Sequence, residues 1–318
     1  MKERIETPVI VTDIQALTPL VKQFTLETQD GSELAPFSSG SHTVVTMEGS
    51  AKVYRNAYSL VKHSENKQGY IISVRREDEG RGGSLFMHTE VVVGSKLEIS
   101  TPYNLFAINK TARKHIMIAG GIGITPFIGY LKDLPFVTDN FELHYATRER
   151  AYAAYVDELE RDLGDRFHLY CDDNNTTLNL RDLMNKQPLG THVYVCGPQG
   201  MVDAVLQAGD ELGWPAISVH YEIFKAPDPG APFQVTLAKS KQTLQVRASE
   251  TLLEVLENNN VDINWSCRGG ACGLCRTTVI DGKVEHRDYF LSDEEKQANA
   301  TIMPCVSRCK SDALTIDL

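Results

Sequence analysis

The sequence predicts a multidomain chain: an antiparallel β-barrel, then an α/β domain on a parallel sheet, then a small β-grasp domain. Three observations predict it. Short runs rich in Val, Ile, Thr and Phe recur between turn signals over the first hundred residues, the mark of a small all-β unit. Apolar runs then alternate with helical stretches, as in a parallel α/β sheet. A break with three prolines in eight residues, Lys225-Ala226-Pro227-Asp228-Pro229-Gly230-Ala231-Pro232, sets off a last segment of strands around a cysteine loop. The expected boundaries are 1–106, 107–226, a linker at 227–232, and 233–318, and 318 residues accommodate that many domains.

Composition narrows the class. Hydrophobic residues make up 42% and charged residues 23%, as in soluble chains with cores of their own. The formal charge of −10 argues against nucleic acid and anionic membrane surfaces as partners. No apolar run follows Met1-Lys2-Glu3-Arg4 and no segment approaches a membrane span, so neither a signal peptide nor a transmembrane helix is expected. Outside the cysteine motif, Cys171, Cys196 and Cys309 form an odd, scattered set. A reducing cytoplasm fits them better than a disulfide framework.

In the barrel region the runs at 9–11, 21–26, 43–47, 70–75 and 97–100 read as strands. Tyr58 and Ser59, adjacent on a strand, face opposite sides. Tyr58 could cover a flat ring while Ser59 hydrogen-bonds on the other face; ordinary strand chemistry is the alternative. Gly80-Arg81-Gly82-Gly83-Ser84 offers exposed amides, a charge, and a hydroxyl able to cap the next helix. This is the chemistry of a phosphate cradle, or a plain Gly-rich turn.

In the middle region, strands are expected at 115–119, 141–145, 167–170, 193–196 and 219–221, with helices at 127–134 and 152–163. Gly120-Gly121-Ile122-Gly123-Ile124-Thr125-Pro126 closes the first strand; Thr125 suits a helix N-cap and Pro126 the position after it. The helix start then faces a diphosphate. Pro126 stands where a G-x-G-x-x-G motif has its third glycine, and a purely structural turn remains open. Cys196-Gly197-Pro198 opens a second helix at a strand's carboxyl end, where α/β folds bind ligands; Cys196 could equally be a small buried hydrophobe. A helix with Val202, Val205, Leu206 and Leu212 on its apolar face follows. Glu222 and Phe224 end the last strand, with Phe224 placed to cover a ligand. Asp172 and Asp173 follow the third strand, where a carboxylate could bind ribose hydroxyls and repel a 2′-phosphate. Arg148 and Arg150 point the other way, and solvated loop charge is the alternative for both.

The last region holds the sharpest signal. Cys267 and Cys272 are separated by four residues and Cys272 and Cys275 by two, and Cys305 follows after 29 more. This is the plant-type [2Fe–2S] spacing. A structural zinc site would normally pair two short cysteine knuckles, and only one is present. Gly269, Gly270 and Gly273 leave room for the loop to turn amides toward the sulfurs. Strand pairs at 233–238 with 243–246 and 277–280 with 284 are expected as hairpins, with an Asp281-Gly282 turn in the second. Thr251 and Glu254 form a capping box for a helix at 252–256, and 314–316 is a terminal strand.

Taken together, these motifs resemble the phthalate dioxygenase reductase family across essentially the whole chain. The resemblance implies a flavin barrel, a nicotinamide domain and a ferredoxin domain. The family's R-x-Y-S is matched at Tyr58 and Ser59, its flavin phosphate loop by the 80–84 run, its G-G-I-G-I-T-P by the 120–126 run, its C-G-P by Cys196-Gly197-Pro198, and its E-x-F by Glu222 and Phe224. The family's phosphate-binding Arg falls on Asn56, with Arg55 one residue earlier. Either Arg55 substitutes, or phosphate binding rests on Arg81 and the Gly80, Gly82, Gly83 and Ser84 amides. Asn-Ala-Tyr-Ser-Leu and the carboxyl-terminal stretch look most like reductases of carnitine-type (quaternary amine) monooxygenases, with vanillate demethylase reductases as the rival.

The resemblance implies FMN, NADH and a [2Fe–2S] cluster on Cys267, Cys272, Cys275 and Cys305. Nicotinamides deliver two electrons as hydride and the cluster accepts one, so a flavin stands between them. One phosphate loop and no evident adenine site favour FMN over FAD. Ser59 is then placed near flavin N5, Tyr58 and Phe224 on its ring, and Cys196 beside the nicotinamide. Cys305, after Pro304, suits an extended, strand-borne ligand, with Cys309 the competitor. No Rieske or mononuclear iron motif is visible, so the implied partner is a separate Rieske-type terminal oxygenase. A cytochrome P450 or an aromatic-ring oxygenase is the alternative partner, and a stand-alone flavin reductase or a metal-binding scaffold the alternative function.

Overall fold

The computed structural model describes residues 6–50, 52–174, 176–224 and 229–318. Residues 1–4, where a leader would begin, and linker residues 225–228 lie outside that set. The chain divides into two compact units, Met1–Phe224 and Lys225–Leu318. The first unit holds two sheets.

Its first sheet contains β1 (Glu6–Thr18), β2 (Val21–Thr28), β3 (Ser41–Glu48), β4 (Val53–His63), β5 (Gly69–Arg75), β6 (Lys96–Ser100) and β7 (Tyr103–Asn104), with α1 (Gly83–Thr89) between β5 and β6. Every pairing is antiparallel, in the order β4-β5-β2-β1-β6-β3-β7, and a β3–β4 pairing closes the barrel. Alternating side chains point inward. Val9, Val11, Phe24, Leu26, Val45, Met47, Leu60 and Ile72 form one core with Met87 of α1. The closure is uneven. β4 pairs with β3 from Val53 to Ser59, but with β5 only from Leu60 to His63. The first half of β4 therefore leaves its β5-side backbone edge open, next to the loop that enters α1.

The second sheet is wholly parallel. It runs β8 (Lys114–Gly120), α2 (Thr125–Asp133), β9 (Phe141–Thr147), α3 (Val156–Leu163), β10 (Phe167–Cys171), α4 (Leu180–Asn185), β11 (Thr191–Gly197), α5 (Gln199–Glu211) and β12 (Val219–Ile223). The strand order is β10-β9-β8-β11-β12, which puts the point of reversal between β8 and β11, where ligands bind in such sheets. One face packs Met117, Tyr145, Tyr194 and Cys196 against Phe127 and Tyr130 of α2. The other packs Ile118, Val193 and Val195 against Val202 and Val205 of α5. The expected helix at 152–163 begins four residues late, because Tyr155 takes a left-handed φ of 68°. That turn carries the Tyr155 phenol to Gln23 and Ser73 of the barrel. Ser39 of the barrel likewise binds Gly129 O and Asp133 of α2.

The second unit contains β13 (Phe233–Leu237), β14 (Thr243–Val246), α6 (Leu252–Asn258), β15 (Thr277–Asp281), β16 (Val284–Glu285), α7 (Asp293–Ala298), β17 (Thr301–Ile302), β18 (Arg308–Cys309) and β19 (Ala313–Ile316). Its main sheet runs β14-β13-β19-β15-β17, and α6 starts in the expected capping box of Thr251 and Glu254. The second expected hairpin does not form. β15 pairs with β17 and β19, while β16 pairs with β18. Gly282 does turn, at φ 100°, but Asn299 takes the turn's free groups, accepting from Val284 N and donating to Gly282 O. The two strands diverge into different sheets.

Candidate functional site

The cysteine loop lies between α6 and β15. Cys275 and Cys305 are buried, with their sulfurs 3.3 Å apart. Gly269 N donates to Cys267 Sγ at 3.4 Å. Hydrogen bonding to Cys272, and then to the amides of Gly269, Ala271 and Cys272, lowers the Cys267 thiol against the pull of burial, and the same bond raises Cys272, so Cys267 is the partner that gives up its proton first. Thiolate donors held by loop amides are what an iron–sulfur cluster requires. Gly270 (φ 78°) and Gly273 (φ 74°) are both left-handed, and a Cβ on them would fall 2.7 Å from Val306 and 2.3 Å from Phe290. Cys309 is buried elsewhere, its sulfur against Ser311 Oγ and Ala313 O. Cys305 is not on a strand as expected. It sits in a turn between β17 and β18, in which Val306 N and Ser307 N both donate to Met303 O.

One contributor to this loop escaped sequence reading. Arg268 takes a left-handed φ of 54°. Its guanidinium makes a two-pronged bridge to Glu257 of α6 at 2.8 and 2.9 Å and lies 4.7 Å from the centre of the Trp265 ring. Both charged side chains are nearly buried, at 10% and 5% exposure. Nothing in the local spacing of Arg268 and Glu257 announces that contact.

At the barrel's open edge, the face of β4 carrying Tyr54, Asn56 and Tyr58 meets the 80–84 loop. A Cβ on Gly83 would lie 2.5 Å from Asn56 Oδ1, and one on Gly82 (φ 92°) 3.1 Å from the Tyr54 ring. Lys52, just before the strand, donates to Arg81 O at 2.9 Å. Asn56 Nδ2 donates to Tyr58 OH at 3.2 Å. Burial holds the Tyr58 phenol proton well above its usual range. Arg55 pairs with Thr46 and by strand alternation shares a face with Ala57 and Ser59 instead. Asn56, not Arg55, therefore lies against the loop. The Ser59 hydroxyl is buried with no hydrogen-bond partner. Ser84 is not the helix cap that was expected. Gly82 holds the cap position, and the Ser84 hydroxyl accepts from Glu77 N at 3.2 Å. Amides, a lysine and an orphaned hydroxyl around one open edge fit a flavin phosphate at one end and a polar ring at the other.

At the carboxyl ends of the parallel strands, the two glycine junctions touch each other. A Cβ on Gly123 would fall 2.1 Å from Cys196 O, and one on Gly120 2.6 Å from Pro198 Cδ. Those two glycines permit close packing of the loops, whereas Gly121, at φ 54°, meets nothing within 4 Å and leaves its surface open. Thr125 is no N-cap. A 3-10 turn over Gly121–Ile124 precedes the helix, and Thr125 already has helical angles with its hydroxyl donating to Ile122 O. Cys196 pairs with Ala119 on one side and Glu222 on the other. Burial, then the nearby Glu222 carboxylate, pushes its thiol well above the usual range, so it is a neutral group. Phe224 follows β12 and is 42% exposed. Asp172 and Asp173 stand exposed past β10. Arg150 is committed to Asp157 and Glu160 of α3 at 2.6 to 3.0 Å.

Glu142, His144 and His168 also gather at one sheet edge, but as packing. The two imidazoles stack at 4.6 Å with planes 21° apart, so their lone pairs do not converge on one ion. His144 is bonded to Tyr170 and Glu142, and Lys114 holds Glu142 at 2.7 Å.

Two family profiles match the chain: "Dimethylamine monooxygenase subunit DmmA-like, N-terminal domain" over residues 96–219, and "2Fe-2S iron-sulfur cluster binding domain" over residues 235–310. The chain is 42% identical to a carnitine monooxygenase reductase subunit of Acinetobacter baumannii, over 98% of each chain. It is 44% identical to a heme-dependent oxidative N-demethylase beta subunit of Ectopseudomonas mendocina, over 97% of each. Among solved structures, phthalate dioxygenase reductase, described as a modular structure for electron transfer from pyridine nucleotides to [2Fe–2S], aligns with a TM-score of 0.85 at 33% identity, covering 99% of this chain and 98% of that one.

Proposed function

This chain belongs to the phthalate dioxygenase reductase family, and from that premise we propose that it carries electrons from NADH through FMN and a [2Fe–2S] cluster to a Rieske-type oxygenase acting on a quaternary amine such as carnitine. The chain is an oxidoreductase, the reductase component of an oxygenase system. The observation that carries the reading is full-length agreement: one chain holds a nucleotide-type parallel sheet, a barrel with an open polar edge, and a cysteine loop suited to iron and sulfur.

The flavin supplies the conversion of two-electron delivery into single-electron transfers, and the protein supplies position and tuning. Lys52, the loop amides and Arg81 hold the phosphate, in place of the Arg that the family has at Asn56. Tyr58 lies along the ring and Ser59 presents its hydroxyl to the ring's polar edge. Gly121 and the first amides of the turn before α2 receive the nucleotide diphosphate. Cys196, as a neutral thiol, and the Glu222 carboxylate flank the nicotinamide, and Phe224 covers the ring until the nucleotide arrives. Cys267, Cys272, Cys275 and Cys305 hold the cluster. Asp172 or Asp173 selects NADH by repelling a 2′-phosphate. Among the described residues no helix is long and apolar enough to cross a membrane, and the free cysteines suit a reducing cytoplasm.

A second partner has its own support. The relative at 44% identity is named for a heme-dependent N-demethylase, and the profile over residues 96–219 is named for a dimethylamine monooxygenase. Both partners would oxidise an amine, one at a Rieske and mononuclear iron pair and the other at heme. The test is reconstitution: mix the NADH-reduced chain with an oxygenase of each type and follow the partner's own centre, by the Rieske EPR signal or the heme Soret band. Fast reduction of heme with none of the Rieske protein would overturn the Rieske reading. Protein purified without flavin and iron would overturn the electron-transfer path itself.

A further inference from the structure

Every residue of β3 before Glu48 is buried. His42, near its start, is 4% exposed, and neither ring nitrogen has a hydrogen-bond partner. Folded proteins rarely leave a buried polar side chain in that condition unless it serves a ligand or holds an ordered water.

The ladder identifies what His42 faces. It pairs with Ser59 of β4 on one side and with Tyr103 of β7 on the other. Cross-strand partners project from the same face with Cβ atoms about 4.5–5.5 Å apart. Val45 and Met47 point into the barrel core, so His42, of opposite parity, points out of it with Ser59. The Ser59 hydroxyl is orphaned too. Two adjacent buried groups that do not satisfy each other therefore stand side by side, just where β4 parts from β5. The Tyr103 ring lies 6.4 Å away at 29°; it steadies the imidazole plane without bonding its nitrogens. Burial pushes the imidazole down to about 4. At neutral pH it is uncharged, with one N–H to donate and one lone pair to accept.

We propose that His42 is a further flavin contact, which forms with Ser59 a polar wall against the heteroatom edge of the isoalloxazine ring. The proposal rests on the flavin reading above and adds a residue to it. A neutral donor and acceptor beside a hydroxyl complements a ring edge that itself alternates acceptors with an N–H. The same two groups facing only protein would be a standing cost to the fold.

The experiment compares wild type, His42→Phe and His42→Gln in the full-length chain. His42→Phe keeps an aromatic ring of similar size and removes both nitrogens; His42→Gln keeps a donor and an acceptor. The readouts are FMN Kd from quenching of flavin fluorescence, the position of the main visible flavin band, the flavin midpoint potential, and thermal stability of the flavin-free protein. Cluster absorption serves as the control for an intact second unit. His42→Phe is expected to raise Kd about tenfold, the effect of one lost buried hydrogen bond, and to move the band and the potential, with flavin-free stability unchanged or higher. His42→Gln is expected to lie closer to wild type on all three flavin readouts. Unchanged Kd, band and potential in His42→Phe would overturn the contact, as would a fall in flavin-free stability with those three unmoved. If His42→Phe does not fold, His42→Leu takes its place under the same criteria. Wild type that binds no FMN would overturn the flavin reading itself and is recognised before any variant is compared.

Discussion

Cys305 and Cys309 show how much single residues reveal when chemistry and geometry are separated. They lie four residues apart, and spacing alone leaves either able to be the fourth ligand. The fold separates them, with Cys305 Sγ 3.3 Å from Cys275 Sγ and Cys309 turned to Ser311 and Ala313. Cys305→Ala should lose the cluster's visible absorption and the reduction of cytochrome c, while NADH-driven ferricyanide reduction, drawn from the flavin in the other unit, largely persists. Cys309→Ala should match wild type. An exchange of those phenotypes would reverse the ligand assignment. Nucleotide choice is a second test at this scale. Arg150 is held by two carboxylates, which weakens any case for it as a 2′-phosphate ligand, whereas Asp172 and Asp173 remain exposed. Replacing both with Ser should narrow the NADH-to-NADPH ratio of kcat/KM by the equivalent of about 1–3 kcal/mol, the scale of a removed charge clash. Steady-state kinetics with both nucleotides measure it, and an unmoved ratio would shift the selecting role to another residue.

Elements were legible where a periodic pattern fixed them and illegible where a distant contact did. Most strands of the two sheets in the first unit follow from runs of β-branched and aromatic residues, and α6 from its capping box, whereas the two-residue β7 carries no such run. Thr125 and Ser84 failed as caps because each hydroxyl found another partner, Ile122 O one turn back for Thr125 and the backbone N–H of Glu77, before the glycine loop, for Ser84. The Asp281-Gly282 turn failed as a hairpin because Asn299, 17 residues from Gly282, took its hydrogen bonds. Gly120 and Gly123 let the two junction loops pack against each other while Gly121 stays open, and no local signal in the sequence distinguishes the three. The joint between α6 and the cysteine loop belongs to the same class of hidden contacts. Arg268→Met removes the bidentate partner of a carboxylate that is 5% exposed. Leaving a buried charge in that state typically costs about 3–5 kcal/mol. Differential scanning calorimetry should show the second unit melting earlier and iron content should fall, while FMN content stays at the wild-type level. Thr251→Ala, which breaks only the cap of α6, should cost about 1 kcal/mol and leave the cluster in place.

At the scale of the whole molecule, the charge is unevenly shared. Residues 225–318 hold 11 Lys and Arg against 13 Asp and Glu, a net of −2, and the remaining 224 residues hold 21 against 29, a net of −8. The unit that must hand over the electron is therefore nearly neutral, while the unit that collects it carries most of the field. Long-range attraction sets how fast partners meet, and short-range packing sets how long they stay. Around the cysteine loop the second unit exposes Leu274, Tyr289 and Phe290, side chains suited to close contact without charge. The two contributions should separate under salt. As ionic strength rises through the physiological range, where the Debye length shortens to about 8 Å, the association rate with a basic oxygenase should fall, because the −10 of the whole chain is screened. The dissociation rate should change little, because the surface released is mostly uncharged. Stopped-flow reduction of the partner's metal centre at several salt concentrations gives the first, and chase with an excess of cluster-free reductase gives the second. If dissociation quickens as steeply as association slows, charges on the second unit itself hold the complex, and the division between a steering unit and a docking unit fails.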